Sequence, residues 1–386
     1  MSEVKLKDIT ISITDGKHGD CKGQDNSGYY FVSCKDVFDG LIHYDNARQI
    51  TEDDFLDSDK RTKLSPNDIL VTNSGTIGRM ALVKDVPETR RTTFQKSVAI
   101  VKPNTDKVLP HYLYYLLQSK VYDFVNSSNG AAQKNLLLST MREFDLEIED
   151  DKNIQHRIAT ILSRYDSLIE NYQKQIELLE EAAQRLYKEW FVDLHFPGHE
   201  NTKIIDSVPE GWEKKPVDSI YSIKYGKNLS TKLITESGEF PVYGANGVIG
   251  YYDKANCNEQ VVLITSRGNG SGDVLMTYHK DAFITNNSFI VLPLEDYSYC
   301  QLPFTYQFLK NANFRAVRTG AAQPQLTNQS IHTVDVVLPS KNIIVEYCGK
   351  VSYSNKKIIV LKNQIRLLTE ARDRLLPKLM SGEIAV

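Results

Sequence analysis

The chain has 386 residues, 41% of them hydrophobic and 25% charged, with a formal net charge of −3. That size and balance suit a globular protein with two domain-sized cores; no apolar run approaches the roughly eighteen residues of a membrane span, and MSEVKLKD at the start lacks the apolar core of a signal peptide, so a cytosolic protein is expected. Five scattered cysteines without a Cys-x-x-Cys pair argue against a disulfide framework or a zinc cage, and the slight acidity gives no basic footprint, although a cleft can be positive on an acidic molecule.

Residues 1–150 mix short strands and turns. TDGKHGD (14–20) and NSG (26–28) are turn chemistry, GYYFVSC (28–34) and NDILVTNS (67–74) read as strands, KSVAIVKP (96–103) is an apolar run ended by proline, and LPHYLYYLLQSKVYDFVN (109–126) has a helical period. A long helix is predicted over 152–191. Its apolar residues, Ile154, Ile158, Ile161, Tyr165, Leu168, Tyr172, Ile176, Leu179, Ala183, Leu186 and Trp190, step by three and four. Fully helical, that stretch is about 60 Å long and needs a partner helix along its seam. HFPGHENTKIIDSVPEGW (195–212) has linker composition. A second mixed region follows, over 196–340 with the linker at 196–211, and a second long helix, 341–386, closes the chain.

The second half retraces the first. Without a gap, Gln175-Ile176 falls on Gln364-Ile365, Leu178-Leu179 on Leu367-Leu368, and Arg185-Leu186 on Arg374-Leu375, an offset of 189 residues. One period of half the chain means a duplicated domain plus helix rather than a solenoid. The globular parts correspond more loosely: GAAQKNL (130–136) with GAAQPQL (320–326), VTNSGTIG (71–78) with ITSRGNGSG (264–272), TFQKSVAIV (93–101) with TNNSFIVL (285–292). The predicted fold is therefore α+β, two similar mixed domains separated by two long antiparallel coiled-coil helices in a pseudo-two-fold duplication. The seam comprises Ile158, Tyr165, Leu168, Tyr172, Ile176, Leu179 and Leu186 in the first copy and Ile358, Leu361, Ile365, Leu368 and Leu375 in the second. Pro377 is expected to kink or stop the second helix near Leu376.

A shared framework with differing residues between suits one scaffold presenting two recognition surfaces. A single Gly-Ala-Ala-Gln-x-x-Leu would be an ordinary loop; at two equivalent places it draws attention to the glutamine amide, which suits a base edge or a phosphate. Residues 268–272 lack the ending of a phosphate-binding P-loop, so a tight turn approaching another backbone, including that of DNA, is the better reading. The candidate DNA-contacting residues are Lys17, His18, Thr72, Asn73, Ser74, Thr76, Arg79, Lys96, Gln133 and Lys134 in the first half. In the second they are Lys227, Asn246, Thr265, Ser266, Arg267, Asn269, Asn287, Gln323 and Gln325. Each basic residue alone is more often a solvated surface charge. His195 and His199 flank Pro197-Gly198 without a matching ligand cluster, so a linker outweighs a metal site. The 21 tyrosines are more often half-buried on strands than stacked on bases. Methyltransferase, P-loop and metalloprotease motifs are absent. A standalone methyltransferase or nuclease with an unrecognised site, or a coiled-coil scaffold without a nucleic-acid role, are the alternatives.

The order of variable domain, helix ending LLEEAAQRLYKEWF, variable domain opening VPEGWE, and terminal helix ending RDRLLPKLMSGEI resembles the specificity subunit of type I restriction-modification enzymes. The resemblance implies that each target-recognition domain binds half of a bipartite, asymmetric DNA site. It also implies that the helices set the spacing and dock two methyltransferase subunits, which use S-adenosylmethionine to methylate adenine. Up to two restriction subunits using ATP and Mg would join for cleavage. The chain itself would be non-catalytic and hold no cofactor or metal.

Overall fold

Every residue of the strand Ile69–Thr72 is buried. In the computed structural model, which describes residues 1–128, 135–320 and 323–386, this strand lies inside a sheet covered on both faces. Ile69 and Val71 join one apolar cluster with Ala99, Val101 and Tyr112, while Leu70 joins another with Val98, Ile100 and Phe94. The period-two alternation then leaves no polar face, and the strand reads as an unbroken apolar run.

Two compact units are formed, Met1–Glu170 with Leu367–Val386, and Asn171–Arg366. In the first, an antiparallel four-stranded sheet has the order Thr10–Asp15, Val98–Pro103, Ile69–Thr72, Met80–Leu82. A three-stranded sheet has the order Arg48–Gln49, Tyr30–Val32, Thr92–Phe94, its last pair parallel. Ser2–Lys5 pairs with Asp145–Ile148. The second unit repeats this plan: Tyr221–Tyr225, Ser288–Pro293, Val262–Thr265, Val274–Met276, then Gly247–Tyr252, Phe240–Gly244, Phe283–Ile284 with its last pair parallel, and Glu213–Pro216 against Asp335–Leu338. Its central strands alternate in the same way, Val262 and Ile264 into one cluster and Leu263 into another.

Some elements have no counterpart in the expectations. The helix Glu52–Thr62 starts at Thr51, whose side chain accepts the Asp54 N–H, carries three acids in its first turn where the helix dipole favours them, and ends on Lys63 in the left-handed region. The expected helix at 109–126 is two, Pro110–Ser119 and Val121–Asn126, broken at Lys120. The linker is anchored: Phe196 and Trp212 are buried and pack 5.1 Å apart.

The first long helix is regular over Lys152–Tyr187 and the second over Lys341–Met380. In the first unit Ile158, Ala159 and Leu162 share a core with Leu379 and Met380. In the second, Ile176 packs on Ile358 and Leu361, and Tyr187 on Tyr347. Within each unit the two helix segments therefore run antiparallel. Of the seam residues, Ile158, Ile176, Ile358 and Leu361 are buried, while Tyr165, Tyr172, Leu179, Leu186, Ile365, Leu368 and Leu375 are half-buried. Leu168 departs from the expectation, standing 43% exposed, with Leu162 buried instead. At about 100° per residue Leu168 is turned roughly 80° from Ile176 and 120° from Leu162, so it looks outward.

Beyond Tyr187 the first helix widens into one π turn, Lys188–Val192, which sets Trp190 into the core. The second helix does not stop near Leu376. It continues through Pro377 for another turn, because Leu379 and Met380 are buried in the first unit's core and the Ser381 N–H still reaches the Pro377 carbonyl at 2.9 Å. Leu379→Ala is therefore expected to cost about 2–5 kcal/mol in urea unfolding of the full chain, as for any large core truncation; a helix ended at Leu376 would give a change within about 0.5 kcal/mol.

Candidate nucleic-acid interface

In each unit one glycine lets a backbone lie directly on a backbone. A Cβ on Gly16 would stand 2.0 Å from the Phe94 carbonyl oxygen, and one on Gly226 2.3 Å from that of Thr285. With no side chain there, Lys17 N–H donates to the Phe94 carbonyl at 2.7 Å and Lys227 N–H to that of Ile284 at 2.9 Å. Next to this contact the buried central strand ends in a glycine turn. Gly78 N–H closes it on the Thr72 carbonyl at 2.9 Å, and Gly272 N–H on that of Thr265 at 2.8 Å, both glycines having left-handed φ. The stretch after Gly-Ala-Ala-Gln lies along the other side: Leu136 N–H donates to Asn73 and Leu326 N–H to Ser266, each at 2.8 Å. Four stretches that are distant in sequence thus meet at one end of each four-stranded sheet.

The candidate residues sort by depth. Thr72, Asn73, Thr265 and Ser266 are buried and correct the expectation that they face a ligand. The three hydroxyls are spent within the frame, Thr72 Oγ1 accepting the Arg79 N–H, Thr265 donating to the Ala245 carbonyl and Ser266 to that of Asn286, while the buried Asn73 Oδ1 has no hydrogen-bond partner among the described residues. Strand-end hydroxyls of this kind shape a loop instead of contacting what lies beyond it. Ser74 and Asn287 are half-buried. Thr76, Arg79 and Lys96 are exposed in the first unit, as are Lys227, Asn246, Arg267, Asn269, Gln323 and Gln325 in the second. Gln133 and Lys134 lie outside the described residues.

Lys17 is held rather than offered. Its ammonium sits 3.0 Å from Asp54 on the helix Glu52–Thr62, and that hydrogen bond raises its pKa. Asp54 is in turn lowered, first by the Lys22 N–H and then by Lys17. His18, largely exposed, pairs with Asp15 at 2.8 Å, and Arg61 also reaches Asp15. Arg79, Lys96, Lys227 and Arg267 have no ion-pair partner among the described residues, leaving their charges for an anion.

Three residues were missed. Lys35 is exposed beside Cys34, whose sulfur lies against Gly75. Arg315 pairs with Asp273 at 2.5 Å, and Arg318 reaches the Asn269 carbonyl at 3.4 Å. The arginines carried a signal, two basic residues just ahead of the second Gly-Ala-Ala-Gln; Lys35 had none, since only the parallel pairing of 30–32 with 92–94 brings it here. Exposed guanidinium and ammonium groups in this arrangement can donate hydrogen bonds to phosphates and base edges, and exposed amides can both donate and accept them. Among the described residues, no group of three His, Cys, Asp or Glu is placed to hold a metal ion.

A family model described as type I restriction modification DNA specificity domain matches residues 2–181 and again 209–358. The MjaIX type I restriction enzyme specificity subunit of Methanocaldococcus jannaschii is 28% identical over 347 residues, spanning 82% of this chain and 78% of that protein. The HindI specificity subunit of Haemophilus influenzae is 22% identical over 375 residues, 74% of this chain and 80% of its own. The fold is similar to the crystal structure of a type I restriction-modification system S subunit from M. genitalium, with a TM-score of 0.55 at 20% identity over 98% of this chain and 95% of that one.

Gly16→Ala and Gly226→Ala should each destabilise the protein by about 1–3 kcal/mol through forced backbone displacement. Gly349→Ala, mid-helix with open space around it, should instead stabilise by about 0.5–1 kcal/mol. Urea midpoints of the three variants check this.

Proposed function

Because the chain belongs to the type I restriction modification DNA specificity family, we propose that it is the non-catalytic, sequence-reading subunit of a DNA adenine methyltransferase and restriction complex. Each unit takes one half of a bipartite, asymmetric site. The observation that carries this reading is the same backbone cradle built twice, on the same strand order, with different exposed side chains at its tips: Thr76 and Arg79 in one, Arg267 and Asn269 in the other. A constant frame positions the reader on the duplex, and the variable tips supply the base contacts.

The recognition domains are residues 1–150 and 196–340, and the helices at 151–195 and 341–386 set the distance between half-sites. Two methyltransferase subunits dock on those helices, where Leu178 and Tyr353 stand 57% and 75% exposed and supply apolar surface to cover. S-adenosylmethionine belongs to these partners, as ATP and Mg belong to restriction subunits, and the methyltransferase flips the target adenine from the duplex. Alone, the chain binds DNA weakly and with steep salt dependence. A cytoplasmic location is part of this reading; no helix among the described residues is long and apolar enough to cross a membrane.

Mapping methylated adenines in cells with and without the gene tests the reading; a methylome that is identical in both overturns it. Within the assembled complex, Arg267→Ala should cost about 1–3 kcal/mol at one half-site only, measured by binding to DNA varied one base at a time. Equal weakening on every sequence would make Arg267 a phosphate contact. Inserting one turn of four residues at Gln175 adds about 6 Å of helix, close to two base pairs at about 3.4 Å each. The methylated motif should then keep its half-sites and gain spacer length.

A further inference from the structure

We propose that the helix seam is built to accept only an unlike partner: the first long helix pairs with the second and rejects another copy of itself. The proposal is independent of what the two units bind.

Among the described interactions, two ion pairs join the long helices inside the units. In the first, Arg372 Nη1 stands 2.7 Å from Asp166, which also accepts the Tyr115 hydroxyl at 2.5 Å. In the second, Lys362 stands 3.3 Å from Glu180 and lies over the Tyr278 ring at 3.6 Å. All four charged side chains are partly shielded from water, between 23% and 43% exposed. In a seam made of two identical copies, every contact would occur twice. Shifting both partners of each pair by the 189-residue offset shows that neither does. Asp166 and Arg372 correspond to Asn355 and Ala183; Glu180 and Lys362 correspond to Thr369 and Gln173. The structure records the first of these mismatches directly. Ala183 and Asn355 line one cavity of about 30 Å³ in the second unit, beside Gln307, whose buried Oε1 has no hydrogen-bond partner. Where one unit has an ion pair, the other has a small, partly open pocket.

The distribution of sign matters most. Both carboxylates lie on the first helix and both cations on the second. Two first helices in this register would set Asp166 against Ala183 and Glu180 against Gln173, each twice, with no counter-ion. Two second helices would set Arg372 against Asn355 and Lys362 against Thr369. Losing the charge across the seam disfavours either pairing, even though Arg372 keeps Asp373 on its own helix at 2.8 Å and Asp166 keeps the Tyr115 hydroxyl, while the apolar residues around them, Ile176 opposite Ile365 among them, would accept both. Synthesis makes the distinction consequential. At about 5–20 residues per second the second copy follows the first by roughly 10–40 s. Through that interval an exposed seam on one nascent chain meets seams of its own kind on neighbouring chains.

The test uses two full-length chains carrying different affinity tags, co-expressed, with capture on one tag and quantification of the other. Wild-type chains should show only background mixing. Gln173→Lys with Ala183→Arg gives the first helix its own counter-ions, and mixed-tag complexes should rise at least about tenfold. Adding Asn355→Asp and Thr369→Glu, which supplies those cations with partners in the same chain, should bring mixing back towards wild type. Wild-type chains that mix as freely as the variant, or a variant that stays at background, would overturn the proposal. If the bulkier variant is not recovered folded, Asp166→Asn with Glu180→Gln removes the mismatch without added volume; it must show the same rise, and no rise overturns the proposal equally.

Discussion

The pairing of the two long helices is the contact on which both units depend, because it brings into each core residues that stand far away along the chain. Leu379 and Met380 complete the cluster around Ile158 and Leu162. Tyr347 packs among Tyr187, Trp190 and Phe304 and donates its hydroxyl to the Ala183 carbonyl at 3.1 Å. Removing either helix segment would expose the apolar face of the other and open the sheet behind it. Contacts of such long sequence separation form late, since the entropy of closing the loop must be met before they contribute.

What was legible in the chain follows from how strongly each feature is constrained by spacing. The gapless echo of the helices survives because a shift of one residue turns a seam by about 100°, so the repeat is visible residue by residue. The cradle was legible in part, through the paired motifs at 71–78 and 264–272, 93–101 and 285–292, and 130–136 and 320–326; the glycines at 16 and 226, whose backbone contact no other residue permits, had no such match in the sequence reading. Depth was not legible. Thr72 and Thr265 have the composition of a polar loop, and only the strand order shows that they sit beneath it. Leu168 was assigned to the seam by counting threes and fours, which cannot follow the helix's slow drift against that count. The π turn had no signature of its own, yet it begins at Lys188, the position that corresponds to Pro377. Both copies leave the regular helical ladder at the same step, one by widening it and the other by lacking a donor.

The two units share a frame but present different electrostatic surfaces. In the first, the helix Glu52–Thr62 brings acids against the cradle and ties Lys17 down. In the second, the hairpin Phe240–Gly244 with Gly247–Tyr252, the counterpart of Tyr30–Val32 with Arg48–Gln49, leaves Val248 and Ile249 nearly half exposed. Arg79 and Lys96 on one side, and Lys227 and Arg267 on the other, keep free charge within surfaces that are otherwise neutralised. A chain of net charge −3 can thus carry local cationic points without a basic domain.

The turn beyond Pro377 also bears on quality control. Since Leu379 and Met380 lie in the core of the first unit, their loss is felt in the first domain. A chain cut ahead of Leu379 has lost part of the interior of its opening domain, and stability lost there raises the fraction open to proteases.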